Sequence, residues 1–446
     1  MKTVIMAGGK GTRIASVASD IPKAMIPVCG KPILEHQIGV LKKNGFTDII
    51  IVTGHLGRHI KNYFGDGRSF GCNISYFSEI QPLGTAGSLY KLEELAEDFI
   101  LLNGDIIFDA DLQRMAAFHK NKKAAATLAV HPNNHPFDSA LIFCDAGGVV
   151  RKWLNKEDER SYYKNLVNSG LHIISPELLR LCPQAKEKVD LDRDILKPFI
   201  PSGKIFAYIT PEYIKDMGTP DRYAQVCSDI EKGIVAGKNL KVKQKAVFLD
   251  RDGTINKLKG FIKKPDDFEL IEDVAQAIKK INSLGFLAVV ITNQPVIARG
   301  EADFETLDLI HRKMETELGK EGAYVDDIYF CPHHPDRGFP GENAQYKTDC
   351  PCRKPKPGMI LAAAEKYNID ISKSYMAGDD KRDVQAGINA GCTSVFLSDK
   401  SEEAENIKEN CPQENVLFYP SLNEFADFLL EQEGGAGAPG ANENRY

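Results

Sequence analysis

A short stretch near the middle of the chain constrains its fold more strongly than any other. Residues 246–256 read AVFLDRDGTIN, so that four apolar or small residues run directly into Asp250. A second acid, Asp252, follows two positions later, and Gly253 and Thr254 come next. Such a run predicts a buried strand that delivers two carboxylates to its C-terminal end, where open parallel sheets place their reactive groups. The stretch therefore predicts the start of a new domain in mid-chain, and the residues before it need a separate domain.

The composition is that of an ordinary globular protein with more than one domain. The chain has 446 residues, which predicts two or three domains, and 43% of them are hydrophobic. The formal net charge of −6 gives no electrostatic support for binding to nucleic acid or to an anionic membrane. No apolar run approaches membrane-spanning length, and the N-terminal MKTVIMAGGKGTR lacks the layout of a signal peptide. We therefore expect a cytoplasmic protein.

The first half of the chain alternates short apolar runs with helical patterns. Strands are predicted at Thr3–Ala7, Asp48–Thr53, Asn73–Phe77, Phe99–Leu102 and Ala124–Val130. Helices are predicted at Pro32–Lys43 and around Gly87–Leu95 and Asp111–Asn121. This alternation predicts an α/β fold with a mostly parallel, doubly wound sheet.

The turn after the first predicted strand is rich in glycine and carries two cations. It reads GGKGTR over residues 8–13, with Lys10 and Arg13 as the cations. Glycines allow the backbone to approach a polyphosphate and to point N–H groups at it, while the cations supply charge. The pattern is neither GxGxxG nor GxxxxGK[ST], which argues against a dinucleotide site and against a P-loop ATPase. We therefore predict a phosphate-binding turn of another kind.

These residues, with IPKAMIPVCGKPILEH at 21–36, resemble the sugar-1-phosphate nucleotidylyltransferase family. Further motifs follow in the order of that family: EIQPLGTAG (79–87), LNGD (102–105), NSG (168–170) and DMGTP (216–220). The resemblance covers about the first half of the chain. It implies a nucleotidyltransferase fold in which a sugar phosphate attacks the α-phosphorus of a nucleoside triphosphate in line and releases pyrophosphate.

The resemblance also implies roles for particular residues. Those implied for the nucleotide are Gly8, Gly9, Gly11, Thr12, Arg13, Lys23, Gln81 and Gly84. Among them, Arg13 and Lys23 would act on the phosphates, since two anions that meet in one site need cations to screen them. Asp105 and Asp216 would hold Mg²⁺ between the two substrates, and Asn168 would contact the sugar.

Two departures from the family pattern leave the sugar open. Asn155-Lys156 stands where relatives often have Glu-Lys, and Ser169 stands in place of a small alanine. The acid in EIQPLGTAG resembles guanylyl-transferring members more than uridylyl- or thymidylyl-transferring ones, which indicates GTP. The sequence does not specify the anomer of the sugar or the oligomeric state.

A polar, basic segment separates the two halves. Residues 237–245 read GKNLKVKQK and follow a helical stretch from Pro220 to Ala236. We predict a transferase domain at 1–236, a linker at 237–245 and a second domain at 246–432. The glycine-rich end, 433–446, is predicted to be a disordered tail.

The second half offers reactive side chains at four predicted strand ends. Besides Asp250 and Asp252, FLAVVIT (286–292) ends in Thr292-Asn293, Lys354 lies in RKPKPG, and SYMAGDDKRD (374–383) ends in acids. This set suits hydrolysis of a phosphate ester through an aspartyl-phosphate, with one carboxylate attacking and a second acting as general acid and then base.

These four pieces in order resemble the haloacid dehalogenase superfamily. The resemblance implies Asp250 as nucleophile, Asp252 as acid/base, and Thr292, Asn293 and Lys354 as phosphate-binding residues. It implies Mg²⁺ at Asp250, Asp252 and Asp379. Asp383 is expected to contact the metal ligands and not the ion itself. Asp380 is either a ligand or a surface residue.

A cysteine and histidine cluster lies between Thr292 and Lys354. In a chain of this length without a signal peptide, the ten cysteines are expected to be thiols or metal ligands, not disulfides. Cys331, His333, Cys350 and Cys352 supply three thiolates and one imidazole, which is a tetrahedral structural zinc set. His334 is the alternative imidazole ligand. The intervening loop has little apolar content, so a metal would order it.

The sequence CPHHP…CPCRKPKPGM, with TNQ…IARG before it, narrows the resemblance. It is similar to zinc-loop phosphatases of D-glycero-D-manno-heptose 1,7-bisphosphate and to their relatives that act on histidinol phosphate. Gln294, Arg299 and Arg353 would then contact the substrate. Pro295-Val296 departs from the usual Ser-Gly, which predicts altered specificity or loop mobility.

Together, the two halves predict a bifunctional enzyme. Its phosphatase would remove the C7 phosphate of heptose 1,7-bisphosphate, and its transferase would activate the heptose 1-phosphate for surface glycans. Two alternatives remain at this stage. In one, a hexose 1-phosphate transferase is fused to a phosphatase of another substrate, such as histidinol phosphate; in the other, one half is a non-catalytic binding module.

Overall fold

A computed structural model describes residues 1–9, 21–182, 186–338, 340–410 and 416–434. The chain forms two compact units. The first comprises residues 1–131, 139–158 and 166–239, and the second comprises 132–138, 159–165 and 240–446. Among the described residues, no helix combines the length and apolar character needed to cross a membrane. The disordered tail predicted for 433–446 falls outside the described residues from 435 onward.

The first unit contains thirteen strands and seven α-helices among its described residues. The strands are β1 (Thr3–Met6), β2 (Pro27–Val28), β3 (Lys31–Pro32), β4 (Asp48–Thr53), β5 (Asn73–Ser78), β6 (Phe99–Asn103), β7 (Ile106–Asp109), β8 (Ala126–His131), β9 (Leu141–Cys144), β10 (Val150–Leu154), β11 (Val167–Ile174), β12 (Ile205–Ile209) and β13 (Tyr213–Asp216). The helices are α1 (Ile33–Lys43), α2 (Gly57–Phe64), α3 (Leu112–Lys122), α4 (Pro176–Leu181), α5 (Lys197–Phe199), α6 (Pro220–Glu231) and α7 (Ile234–Gly237).

The sheet of the first unit is parallel around β1. Its main path runs β10-β9-β11-β6-β1-β4-β5, while β8 pairs with β11 and β12. β5, β4, β1 and β6 are parallel, and β11 joins β6 in the antiparallel sense. Because side chains alternate along a strand, Val4 and Ile5 enter separate apolar cores on opposite faces. A strand buried on both faces is mostly apolar, and TVIM has only one polar residue, Thr3, which is itself fully buried.

The second unit is a smaller sheet with every strand pairing parallel. Its strands are β14 (Ala246–Leu249), β15 (Leu287–Asn293), β16 (Asp327–Cys331), β17 (Tyr375–Gly378), β18 (Thr393–Leu397) and β19 (Val416–Tyr419). Their order is β16-β15-β14-β17-β18-β19, so β14 is central. The helices are α8 (Val274–Ser283), α9 (Phe304–Lys320), α10 (Gly358–Tyr367), α11 (Lys381–Ala390), α12 (Ser401–Asn410) and α13 (Leu422–Gly434).

The central strand of the second unit is the one with which the sequence analysis began. Val247 and Leu249 face one apolar core, and Ala246 and Phe248 face the other. All four side chains are fully buried. The strand therefore carries the chain to Asp250 in the interior of the unit. The predicted α/β class with two doubly wound sheets is confirmed.

Two segments that precede the predicted linker belong to the second unit. These are residues 132–138 and 159–165, and the second of them packs on α9. The backbone N–H of Tyr163 donates to Thr316 Oγ1 at 2.9 Å, and that of Asn165 donates to Glu315 Oε1 at 3.1 Å. The predicted boundary at 237–245 stays a prediction, because a compact unit need not be continuous in sequence.

The helix predicted around Gly87–Leu95 is wrong. The structure has a short 3₁₀ helix at Gly87–Lys91 instead. The preceding loop pairs with a distant segment, since the N–H of Ala86 donates to the carbonyl of Val189 and the N–H of Val189 donates to that of Leu83. These backbone bonds between remote segments compete with helix formation and are not visible in local periodicity.

Candidate functional sites

The first candidate site is a cavity at the carboxyl ends of β1 and β6. It has a volume of about 440 Å³, and its lining includes Gly8, Gly9, Lys23, Gly84 and Asp105 of the predicted residues. Parallel strands bring these residues together because β1 and β6 end at the same edge of the sheet. Lys10, Gly11, Thr12 and Arg13 lie outside the described residues.

Lys23 and Asp105 form an ion pair inside this cavity. Lys23 Nζ lies 2.5 Å from Asp105 Oδ2, and their side chains are 13% and 34% exposed. Asp105 follows β6 directly, after Gly104, at which an added Cβ would lie 2.9 Å from the carbonyl oxygen of Met6. The glycine thus permits the close crossing that carries the aspartate to the cavity. An aspartate and a lysine at this spot can hold a cation and a phosphate group.

Asp216 lies beside Asp105 through the pairing of β13 with β7. It stands opposite Ile106 in register, and the backbone N–H of Met217 donates to the carbonyl of Asp105 at 2.9 Å. Both carboxylate oxygens of Asp216 accept from Arg222 at 2.8 Å. The two aspartates predicted for Mg²⁺ therefore lie at the same end of the β7–β13 pair, where Asp105 precedes β7 and Asp216 ends β13. Asp216 is oriented by an arginine that the sequence analysis did not single out.

Glu79, the acid of the EIQPLGTAG motif from which the sequence analysis inferred GTP, lines the same cavity. Its Oε1 is buried and has no hydrogen-bond partner among the described residues. Burial raises the pKa of this carboxyl, and the N–H of Leu83 and the charge of Lys91 offset the rise in part. Gln81, predicted to bind nucleotide, is exposed and bonds Glu187. The acid of the EIQPLGTAG motif that reaches the cavity is therefore its first residue.

Gly84 keeps its predicted place, and Asn168 lies elsewhere in the fold. At Gly84, where φ is +85°, an added Cβ would lie 2.3 Å from the carbonyl oxygen of Val189, so only glycine fits. Asn168 is on β11, and its Oδ1 is buried without a hydrogen-bond partner in the described part of the chain. Asn168 is not among the described residues that line the cavity.

The second candidate site lies at the carboxyl edge of the second sheet. Asp250 directly follows β14, and its Oδ1 lies 2.6 Å from Lys354 Nζ. The same Nζ lies 2.6 Å from Asp383 Oδ1. Oxygens of Asp250, Asp379 and Asp383 all lie within 4.8 Å of one another, a spacing that suits a divalent cation. The carboxylate cluster thus contains Asp250 and Asp379 of the predicted metal set, adds Asp383, and does not include Asp252.

Burial sets the electrostatics of this cluster. It raises the pKa of Asp250 to about 7, with Lys354 opposing the rise and Asp383 and Asp252 adding to it. Burial and the charge of Asp250 likewise raise the pKa of Asp379 to about 7. For Lys354, burial lowers the pKa, but the two carboxylates outweigh it and the net pKa lies above its usual value. Three acids around one ammonium leave an excess of negative charge, which a cation would neutralise.

Gly253 explains why the turn after Asp252 needs a glycine. Its φ is +96°, and an added Cβ would lie 2.0 Å from Asp379 Oδ2. No other residue fits between the turn and that carboxylate. Asp379 Oδ1 is buried and has no hydrogen-bond partner among the described residues. The carboxylate is therefore held close to Asp250 with one oxygen available to a ligand.

The last residues of β15 and the residue that follows it have different roles. Thr292 and Asn293 line a cavity of about 340 Å³ together with Asp250, Asp252 and Lys354. Asn293 also fixes Lys354, because its Nδ2 donates to the Lys354 carbonyl and its Oδ1 accepts the Lys354 N–H. Gln294, predicted to contact substrate, is buried beneath the cavity, where its Nε2 donates to Asp252 Oδ2 at 2.7 Å and to Thr292 Oγ1 at 2.8 Å.

Cations and apolar groups form the rim of this cavity. Arg299 and Arg353, both predicted to contact substrate, line it, and Arg382 lines it without having been predicted. The guanidinium of Arg299 lies 4.5 Å from the ring centroid of Phe261, which also lines the cavity. The rim can therefore receive a second anionic group on the substrate.

Asp380 and the dipeptide Pro295-Val296 also have defined positions in the structure. Asp380 caps α11 and is paired with Arg382 at 2.8 Å. Pro295 lines the cavity, whereas Val296 is fully buried in an apolar cluster with Ile297 and Leu307. The valine that replaces the family glycine is thus a packing residue.

The cysteine cluster is assembled as its spacing predicts. The sulfurs of Cys331, Cys350 and Cys352 lie 2.9–3.4 Å apart, and His333 Nδ1 lies 3.6–3.7 Å from two of them. The sulfur separations exceed the length of a disulfide bond. His333, and not His334, joins the three thiols within the described part of the chain. The donor set is that of a closed, four-coordinate zinc site.

The two units define two classes of enzyme. A sheet edge that brings an aspartate, a lysine and further carboxylates together suits phosphoryl chemistry, and a glycine-lined cavity with Lys23 and Asp105 suits the phosphates of a nucleotide. The chain belongs to the nucleotidyl transferase family, whose model matches residues 2–233. A HAD-hydrolase-like model matches residues 351–425.

Curated relatives define the second unit further. The chain is 43% identical over 171 residues to the D-glycero-beta-D-manno-heptose-1,7-bisphosphate 7-phosphatase of Escherichia coli K12, covering 37% of this chain and 86% of that protein. It is 40% identical over 176 residues to the corresponding alpha enzyme of Photorhabdus laumondii, covering 40% and 94%. Among solved structures, HddC from Yersinia pseudotuberculosis is 25% identical, with a TM-score of 0.46 and coverage of 51% and 99%. The chain therefore also contains a member of that phosphatase family.

Proposed function

We propose that this chain is a bifunctional enzyme that converts a heptose 1,7-bisphosphate into a nucleotide-activated heptose. The second unit removes the C7 phosphate, and the first transfers a nucleotidyl group to the heptose 1-phosphate. The observation that carries the proposal is the pairing, in one chain, of a nucleotidyl transferase unit with a member of the heptose-bisphosphate phosphatase family. The product of the second unit is a sugar 1-phosphate, which is the substrate class that the first unit would need.

The phosphatase step uses Asp250 as nucleophile. Its carboxylate attacks phosphorus, the ester P–O bond breaks, and Asp252 gives a proton to the departing sugar oxygen. Water then attacks the aspartyl-phosphate and gives a proton back to Asp252, which releases phosphate and restores Asp250. Thr292 and Lys354 hold the phosphoryl oxygens, as their positions in the cavity lining support.

The donor sets support two metals in this unit. Asp250, Asp379 and Asp383 suit Mg²⁺, because oxygen ligands within 4.8 Å surround a site with excess negative charge. Magnesium would supply charge that stabilises the phosphoryl transition state. Cys331, His333, Cys350 and Cys352 suit Zn²⁺ in a structural role, and they hold the loop that leads into Arg353 and Lys354.

The transferase step needs no covalent intermediate. Gly8 and Gly9, which line the cavity, present backbone N–H groups to the triphosphate, and Lys23 neutralises its α-phosphate. Asp105 and Asp216 would hold Mg²⁺, which screens the two anions from each other. The pairing of β7 with β13, which sets these aspartates side by side, supports the assignment.

GTP is the nucleotide that the cavity favours. Guanine alone among the bases places two donors, the ring N1–H and the amino group, side by side, so both can face one carboxylate. Glu79 offers a buried carboxylate oxygen without a partner among the described residues. An unpaired buried acceptor costs about 1–3 kcal/mol, so a base that donates to it is favoured over one that does not. We expect Glu79→Gln to lower kcat/KM for GTP about 10–100-fold. The ratio of kcat/KM for GTP to that for other nucleoside triphosphates should fall as well. Glu177→Gln, at an exposed acid, is the control.

One experiment tests both activities. Purified protein is incubated with heptose 1,7-bisphosphate, each of four nucleoside triphosphates and Mg²⁺, and phosphate, pyrophosphate and nucleotide sugar are quantified. Release of C7 phosphate followed by formation of a GDP-heptose is expected. Histidinol phosphate and hexose 1-phosphates serve as alternative substrates, and preference for either would overturn the corresponding half of the proposal.

A further inference from the structure

Arg251 stands between the two aspartates of the phosphatase site and has no role in the reaction as set out so far. Its side chain is completely buried. A guanidinium carries its charge at all physiological pH values, and burying a charge costs several kcal/mol unless it is paired. A buried arginine next to a nucleophile therefore requires a specific reason.

The contacts of Arg251 converge on Asp252. Its Nη2 donates to both carboxylate oxygens of Asp252 at 2.9 Å, and its Nε lies 3.2 Å from Oδ1. Gln294 joins the same group, because its Oε1 accepts from Arg251 Nη2 at 3.0 Å while its Nε2 donates to Asp252. Asn256 Nδ2 adds a contact to Asp252 Oδ1 at 3.1 Å. The carboxylate of Asp252 is thus held from several directions.

His311 fixes the far side of the guanidinium. Arg251 Nη1 and His311 Nε2 lie 3.2 Å apart, and because arginine only donates, the Nε2 atom must accept. The imidazole is therefore neutral, with its proton on Nδ1, in agreement with a pKa that burial and the charge of Arg251 hold well below its usual value. His311 belongs to α9, so the helix braces the arginine.

None of these three supports touches the cavity. Asp252 is among the described residues that line it, whereas Arg251, Gln294 and His311 are not. Their effect on a substrate must therefore pass through Asp252. Bidentate contacts from a planar guanidinium fix both the position and the rotation of a carboxylate, which a single donor cannot do.

We propose that Arg251, braced by His311 and Gln294, is the positioning residue that aims the carboxylate of Asp252 at the leaving oxygen of the substrate. The proposal rests on the phosphatase function given above. Without the arginine, Asp252 would lose its orientation, so that protonation of the leaving alkoxide would fail while attack by Asp250 would continue.

Leaving-group dependence distinguishes this role from a structural one. An alkoxide needs a proton as it leaves, whereas p-nitrophenolate leaves without one. In Arg251→Met, we expect rapid-quench phosphorylation by an alkyl phosphate to fall about 10²-fold or more, as for loss of a general acid. The p-nitrophenolate burst from p-nitrophenyl phosphate should stay within about threefold of the original protein, since it needs only Asp250.

Further variants keep the test decisive if Arg251→Met folds poorly. His311→Gln retains an acceptor for the arginine, whereas His311→Leu removes it, so only the second should show the same leaving-group-dependent loss. Arg151→Met, at an exposed arginine paired with Asp145, is the matched control and should leave both substrates unaffected. Nucleotidyl transfer by the same chain reports the amount of folded first unit.

Each outcome has one meaning. Equal losses with both phosphate esters in Arg251→Met and His311→Leu would overturn the positioning role, as would retention of full activity with the alkyl phosphate. Absence of phosphatase activity in the original protein, or turnover in Asp250→Asn, would instead overturn the proposed function. A loss confined to the alkyl phosphate establishes the proposal.

Discussion

The two candidate sites use the same part of an α/β sheet in different ways. Each places an aspartate directly after a buried strand and pairs it with a lysine, Asp105 with Lys23 and Asp250 with Lys354. The first pair stays open, with Asp105 34% exposed, whereas Asp250 is 11% and Lys354 4% exposed. The second site is therefore a buried charge cluster, and the first is a wall of an open cavity.

The difference follows from the chemistry proposed for each site. A transferase that joins two bound anions needs screening charge and room for a nucleotide, and its aspartate need not attack anything. A phosphatase that forms an aspartyl-phosphate needs a nucleophile with little water around it, since desolvation makes an anion more reactive and protects the intermediate. Burial thus distinguishes Asp250, the proposed nucleophile, from Asp105, for which only metal binding is proposed.

The largest expected effects separate the two sites completely. Asp250→Asn removes the nucleophile, so we expect phosphatase activity to fall at least about 10³-fold. Asp105→Asn removes a charged ligand, so we expect nucleotidyl transfer to fall about 10²–10³-fold. Initial rates of phosphate and pyrophosphate release measure them, and each variant is the control for the other. Loss of both activities in either variant would contradict the separation.

A glycine substitution tests the crowding of the buried site. In Gly253→Ala, the new Cβ would overlap Asp379, so we expect phosphatase activity to fall about 10²-fold while nucleotidyl transfer is retained. Gly391→Ala is the matched control, because its φ of +89° is similar but no atom lies within 4 Å of the added carbon. If both substitutions have the same effect on phosphatase rates, the backbone conformation and not the contact with Asp379 is responsible.

Removing the metal cluster should affect the two activities unequally. In Cys350→Ser, we expect loss of bound zinc and about a 10–100-fold fall in phosphatase activity, because the loop that carries Arg353 and Lys354 loses its anchor. Nucleotidyl transfer should not change. Elemental analysis by mass spectrometry measures the zinc, and Cys29→Ser, at an exposed thiol, is the control. Purified protein free of zinc yet fully active would refute the assignment.

The smallest effect concerns a buried acid outside both sites. Burial raises the pKa of Glu315 to about 7, as it does for Asp250, but Glu315 lies on α9 against residues 163–165. Between its unfolded value near 4.5 and 7, the folded state binds more protons, so stability falls as pH rises through that window. The difference amounts to about 3 kcal/mol by pH 8.

Replacement by glutamine isolates this contribution. Glu315→Gln keeps an acceptor for the Asn165 N–H but carries no charge, so the pH-dependent loss between pH 5 and pH 8 should shrink. Denaturant unfolding of the second unit at both pH values measures it, and both enzyme activities should be unchanged. An identical pH dependence in the two proteins would show that Glu315 titrates normally, and a changed phosphatase rate would tie it to the site.

Local patterns in the sequence identify much of the fold. The runs TVIM and AVFL are strands in the structure because a strand buried on both faces is mostly apolar, with Thr3 as the only polar residue in these two runs. The helix predicted at Pro32–Lys43 is present as α1, one residue shorter at its start. The failure at Gly87–Leu95 has a different cause, since backbone bonds to residues 187–191 decide its conformation.

The residues of the candidate sites also fall into those that the sequence predicts and those that only the structure identifies. Asp250, Thr292, Lys354 and Asp379 could be predicted because each directly follows a strand or a motif whose position sheet topology determines. Arg222, Arg251 and Arg382 were missed because their importance depends on what they touch. An arginine between two aspartates reads as a surface residue until its burial is known.

The sequence alone determined that this chain has two α/β units, which strand ends carry its carboxylates, and that three cysteines with one of two neighbouring histidines can share a metal. These properties follow from periodicity and spacing, which are local. Only the tertiary structure decided that Asp383 and not Asp252 joins the carboxylate cluster, that Gln294 is a support, and that residues 132–138 and 159–165 belong to the second unit. These depend on burial and on contacts between segments far apart in the chain, which no local pattern encodes.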